Sequence, residues 1–294
     1  MSEFSRVLPA SAKLGEGPCW DPAAQCLWWL DILGHEIHRF DPATGADQLW
    51  RTPQAPGSLA FDARGGLLLA MGDGFYHFDS ANGSFSPLVM AEPDMPETRM
   101  NDGRTDRQGR FWCGSVFEVD GAPPQPAGAL YRLDADLSCR KMAKSIGCSN
   151  GLAWSPDGRV MYHTDSHTPL IWAWDYDPAT GAIERRRIFV DLTDINAVAD
   201  GATVDADGCY WVALPFSSLV HRYDPSGRLV RSLATPVDAP TCCEFGGEDL
   251  DILYVTTATL GRPSEQLADQ PWAGSLLAID VGVKGLAAAA WGGR

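Results

Sequence analysis

The chain has 294 residues, a formal net charge of −15, 45% hydrophobic residues and eleven tryptophans. That composition fits a well-buried globular core and excludes a low-complexity chain, while the negative charge argues against nucleic acid or an anionic membrane as partner. No apolar run reaches membrane-spanning length, and Met1-Ser2-Glu3-Phe4-Ser5-Arg6 lacks the features of a signal peptide, so a cytoplasmic protein with reduced thiols is expected.

From the N-terminus onward the signals are those of strands: short, aromatic-rich alternating runs separated by Asp-Pro, Asn-Gly and Pro-Asp-Gly turns. Gly15-Glu16-Gly17-Pro18-Cys19-Trp20 leads to Leu27-Trp28-Trp29-Leu30-Asp31, then to Glu36-Ile37-His38-Arg39-Phe40 and the turn Asp41-Pro42-Ala43-Thr44-Gly45. The same order returns at Val160–Asp165, Ile171–Tyr176 and Asp177-Pro178-Ala179-Thr180-Gly181, and again at Tyr210–Ala213, Val220–Tyr223 and Asp224-Pro225-Ser226-Gly227. A nine-residue frame opens several of these units. Its head lies eight residues before a turn glycine at Gly57/Gly65, Asn101/Gly109, Asn150/Gly158 and Asp200/Gly208.

Counting heads gives six units, near Glu16, Gly57, Asn101, Asn150, Asp200 and Thr241, or about 49 residues each over 294. That matches the roughly 40–50 residues of a four-stranded propeller blade. The expected architecture is therefore an all-β, six-bladed propeller forming one domain over residues 1–294, with Phe4–Leu8 supplying the strand that closes the last blade. A β-sandwich would explain the strands but not the repeated frame. No helical period is found; Val119–Gly128 and Leu260–Gly274 read as long loops that either decorate a face or cover a site.

In a propeller the first strand of each blade lines the axial channel, so the six heads converge. Glu16, Asn101, Asn150 and Asp200 bring two carboxylates and two neutral amides, with no His or Cys among them. Such hard oxygen donors suit calcium, magnesium, manganese or ferrous iron rather than structural zinc. Any one Asn-Gly or Asp-Gly alone is more often a turn, but four at matching repeat positions favour a metal site. Arg99, two residues before Asn101, projects to the same side of its strand and can hold a substrate oxygen, or can pair at the rim with Glu97 or Asp102. Glu118, at the root of the first long loop, can accept hydrogen bonds from a polyol or simply face solvent. Gly147-Cys148-Ser149-Asn150-Gly151 imitates a nucleophile elbow, but a strand and a Pro-Asp-Gly turn follow it instead of a helix, so Ser149 is not expected to be a nucleophile. His163 and Asp165 can form a polar pair near the channel, though a structural histidine is the commoner case.

Taken together, Leu14–Trp20, Arg99–Arg104 with Gly109–Gly114, Ser149–Gly158, Asp200-Gly201 and Phe245-Gly246-Gly247 resemble the family of senescence marker protein (regucalcin), gluconolactonases and bacterial sugar-acid lactonases. The resemblance spans nearly the whole chain and implies a divalent metal in the channel, bound at Glu16, Asn150 and Asp200 with Asn101 on or near it. It implies substrate contacts at Arg99 and Asn101 and a base role for Asp200. Where some members carry two consecutive glutamates, this chain reads Phe117-Glu118-Val119, so only Glu118 corresponds. The expected activity is metal-dependent hydrolysis of a small-molecule sugar (aldono) lactone with one divalent cation: calcium, zinc, manganese, magnesium or ferrous iron. Phosphotriester hydrolysis and a non-enzymatic calcium-binding propeller are the alternatives.

Overall fold

The short strands and Asp-led turns fold into six antiparallel four-stranded meanders arranged as a propeller, in a computed structural model that describes residues 3–293. The innermost strands are Gly15–Asp21, Pro56–Phe61, Thr98–Thr105, Ser149–Trp154, Ala202–Val204 and Pro240–Gly246. Each packs against the innermost strands of both neighbouring blades, and the series closes on itself around the axis. Burial falls outward: the inner strands are almost wholly buried, whereas the outer strands Ala46–Arg51 and Leu229–Ala234 are largely exposed.

The turns show why the repeat reads so clearly. In Asp41-Pro42-Ala43-Thr44-Gly45 the Asp41 carboxylate accepts the Ala43 amide at 2.9 Å and the Thr44 hydroxyl at 2.8 Å, and Asp177 treats Ala179 in the same way at 2.9 Å. Aspartate supplies the acceptors the reversing backbone lacks, and the closing glycine takes a positive φ (73° at Gly45) at no steric cost.

Ring closure is as expected. Ser5–Leu8 pairs antiparallel with Leu276–Asp280, Ser5 opposite Ala278 and Arg6 opposite Leu277, so the last blade draws strands from both ends of the chain. The run after Asp280 was not legible as structure. It crosses the end of the channel opposite the cleft described below: the Lys284 carbonyl accepts the Ala206 amide at 2.8 Å, the Ala287 carbonyl accepts Arg107 at 3.1 Å, and Trp291 exchanges backbone hydrogen bonds with Phe61 and Ala63. The Trp291 indole is buried in the core between the second and third blades and donates to the Leu133 carbonyl at 3.3 Å. Only a 40 Å³ cavity remains at that end, lined in part by Leu286, Ala288 and Ala289.

Two short helical segments correct the expectation of none: a 3-10 turn over Thr193–Ile195 and a helix over Ser264–Ala268 inside the second long loop. Among the described residues no helix is long and apolar enough to cross a membrane. All eight cysteines are unpaired thiols, six of them buried.

Candidate active site

Five of the six innermost strands break register with the second strand of their blade at or just after the head: between Glu16 and Cys19, Pro56 and Ser58, Met100 and Gly103, Asn150 and Ala153, and Pro240 and Cys242. A bulge inserts an unpaired residue and re-aims its neighbours, which turns the heads toward the axis. Glycine makes the bulge possible at Gly17 (φ 54°) and Gly151 (φ 68°), where any side chain would be strained; a Cβ on Gly151 would also meet the Tyr210 hydroxyl at 2.6 Å. Head position 57 must be glycine for another reason: a Cβ there would lie 2.3 Å from the Met100 carbonyl oxygen.

The other five heads line one cleft of 350 Å³ at the mouth of the channel, together with Arg99 and Glu118. Arg99 does not pair with Glu97 or Asp102. Its Nε and Nη2 donate to the two Glu118 carboxylate oxygens at 2.7 and 3.1 Å, and its Nη1 donates to Asn101 Oδ1 at 2.7 Å. Asn101 Nδ2 in turn donates to the Ser149 carbonyl at 2.9 Å and to Asn150 Oδ1 at 3.1 Å; Asn150 Nδ2 donates to Ser166 Oγ at 2.8 Å. This relay fixes both amides. It gives each side-chain oxygen one donor, Arg99 on Asn101 Oδ1 and Asn101 on Asn150 Oδ1, and leaves each a second lone pair.

Beside the relay lie the carboxylates. Glu16 is 6% exposed and accepts the Gly17 amide at 3.0 Å through Oε2. Burial holds its carboxyl well above the usual carboxylate range, and the nearby Asp200 and Asp102 push it further the same way. Asp200 is raised as well, by burial first and then by Asp102, while the Gly201 amide opposes the shift. Asp102 is itself raised by burial despite accepting the Leu152 amide at 3.0 Å. Arg99 favours the charged forms of Glu16 and Asp200, but only weakly, its donors being spent on Glu118 and Asn101. Buried negative charge without a matching cation is the environment a divalent ion relieves. The donor set Glu16, Asn150 and Asp200 therefore fits one, although among the described residues no group of three His, Cys, Asp or Glu side chains forms a cage by itself.

Sequence reasoning did not single out Asp102, Cys148, Ser166 or His167. The last three line the cleft; Cys148 stands two residues before its head, as Arg99 does, and Ser166 sixteen after it, as Ile32 and Phe216 do after theirs, a cue that reading the heads alone passed over, while Asp102 was read only as a possible rim partner of Arg99. The Cys148 thiol is pushed up to about 12 by burial and by Asp200. Ser149 is fully buried and bonded to His163 Nε2 at 2.9 Å, and neither lines the cleft. His163 is held down at about 4 by burial, and Asp165 accepts the Gly147 and Cys148 amides instead of pairing with it. The elbow-like motif is a core contact, and His163 is a buried histidine bonded to Ser149 rather than the partner of Asp165.

Fold and cleft together define a six-bladed propeller whose axial mouth carries an acidic oxygen-donor floor beside an arginine–amide relay. The chain belongs to the SMP-30/gluconolactonase/LRE-like family, whose sequence profile matches residues 14–259. It is 35% identical to 6-deoxy-6-sulfogluconolactonase of Pseudomonas putida over 96% of each chain. It is 34% identical to regucalcin of Xenopus laevis, over 98% of this chain and 97% of that one. Among solved structures, the calcium-binding protein regucalcin of Agrobacterium tumefaciens superposes with a TM-score of 0.93 at 29% identity, covering 98% of both chains.

Proposed function

We propose that the chain is a sugar lactonase, opening an aldonolactone to the free sugar acid with one divalent cation held by Glu16, Asn150 and Asp200. The observation that carries this reading is the pair of buried carboxylates with raised proton affinity on the floor of an open cleft, in a chain whose relatives include a named gluconolactonase. A divalent cation there supplies Lewis acidity toward the lactone carbonyl and charge to stabilise the oxyanion. Asp200 takes the proton of the attacking water and returns it to the departing ring oxygen. Burial raises its basicity and the cation lowers it, so the balance of the two sets its working pH.

Arg99 and Asn101 orient the ring. Glu118, whose side chain is 45% exposed, is the exchangeable partner: a substrate hydroxyl or carbonyl can take its place on the guanidinium while the freed carboxylate turns to solvent. Arg99 and Asn101 are then substrate contacts, and Asn101 also positions Asn150 through its hydrogen bond to Oδ1.

A pH-indicator assay over pentono- and hexonolactones, with and without chelator, tests the proposal. Chelator-sensitive acid release is expected. Cleavage of a phosphotriester with no lactone turned over would reassign the activity, and inertness toward both in the presence of each divalent ion would overturn it.

A further inference from the structure

The cleft is chemically two-sided. Its third- and fourth-blade walls are predominantly polar, carrying Arg99, Asn101, Glu118, Asn150, Ser166 and His167. Apart from the head residues themselves, the arc formed by the first, fifth and sixth blades is apolar: Leu14 and Ile32 on one side, Val198, Pro215 and Phe216 next, then Ala239, Ala258 and Leu260. Two members of the arc stand at the rim with their side chains open to solvent, Phe216 at 59% exposure and Leu260 at 46%. Phe216 also has a φ of 63°, in the left-handed region that an aromatic residue rarely occupies, with Ser218 at 57° close behind. The Arg262 guanidinium lies 4.6 Å over the Phe216 ring and is itself anchored to Asp238 at 2.6 Å, so the ring is braced at the cleft edge. An exposed aromatic ring kept in a strained backbone state by a stacked, tethered arginine is a built surface, since strain of this kind persists where the surroundings over-determine it.

On the reading of the cleft as a lactonase site, the ring hydroxyls find partners on the polar wall while the carbonyl sits at the acidic floor. The exocyclic end of the sugar then meets the apolar arc. A hydroxyl on that end would lose water and gain no partner, whereas a methyl would gain contact. We infer that this arc selects lactones whose terminal carbon lacks a hydroxyl, that is deoxy aldonolactones, and that Phe216 is the specificity-determining residue.

Matched substrates isolate the effect: fucono-1,4-lactone against galactono-1,4-lactone, and rhamnono-1,4-lactone against mannono-1,4-lactone, both enantiomers of each, with kcat/KM read by acid release. The deoxy member of a pair is expected to be preferred by about 10-fold, the scale on which an apolar pocket distinguishes such analogues. Asparagine tolerates the left-handed conformation and offers a polar partner, so Phe216→Asn should keep or raise the Tm while bringing the ratio near one. Leu260→Ser should shift the ratio in the same direction. Preference for the hydroxylated member, or a ratio unmoved by both variants, overturns the inference and leaves lactone hydrolysis standing. Failure to hydrolyse these lactones and every other pentono- and hexonolactone tried with each divalent ion overturns the lactonase reading and this inference with it.

Discussion

Replacing Asp200 by asparagine in metal-free protein removes one of the buried like charges beside Glu16 while keeping the side chain's shape. Because burial and mutual repulsion raise both carboxyls in the folded chain, their ionisation opposes folding. The pair costs nothing at pH values below the ordinary carboxylate range, and stability is progressively lost as pH rises from there toward the raised folded-state values. Metal-free Asp200→Asn should therefore melt no lower than the wild type at pH 7.5. A divalent ion at 100 times its dissociation constant adds about 2.7 kcal/mol. Over 294 residues the unfolding entropy is about 0.6 kcal/mol/K, so the wild-type Tm should rise by about 4 °C. The shift should be smaller at pH 5.5, where protons compete for the donors, and should vanish in Glu16→Gln/Asp200→Asn. Thermal scans in chelator and in each ion, at both pH values, provide the measurement. A cation shift of undiminished size in the double variant, or a metal-free Asp200→Asn that melts several degrees lower, refutes the charge argument.

Arg99→Ala should lower kcat/KM by about 10- to 100-fold through loss of a charge-assisted hydrogen bond while the cation-induced Tm shift persists; unchanged kinetics would leave Arg99 only its pairing with Glu118 and Asn101. Ser149→Ala should cost about 1 kcal/mol in denaturant unfolding, from the lost bond to His163, with kcat within about threefold of wild type; loss of activity in folded protein would restore Ser149 as a nucleophile. Trp291→Ala should destabilise by about 3–5 kcal/mol, as expected for a fully buried indole, with KM unchanged in the folded fraction; a loss below 1 kcal/mol would show that the tail does not hold the blades it crosses.

Much of the fold could be read because the repeat writes its own punctuation. Asp41 and Asp177 mark equivalent turns with the same side-chain hydrogen bonds, and heads such as Glu16 and Asn150 sit at bulges that need the following glycine. The site was legible to the extent that it coincides with those heads. Cys148, Ser166 and His167 stand at offsets from their head that other blades also send to the cleft, but the residue type there changes from blade to blade, so composition gave no cue to them. The tail from Val281 onward was opaque for a different reason: its alanine-rich run has no period, and its backbone hydrogen bonds go to residues far away in sequence, from Leu250 and Ala206 to Gly109, Ala63 and Phe61. Phe216 shows the remaining limit, since a left-handed aromatic is chosen by its surroundings and not by local propensity.

Among the described residues, the C-terminal strap leaves the axial shaft the cleft mouth as its doorway. With Leu286, Ala288 and Ala289 lying across the far end, whatever enters past Phe216 and Leu260 must leave the same way. Ring opening would turn a neutral guest into an anion, which leaves past the same rim residues that admitted the lactone.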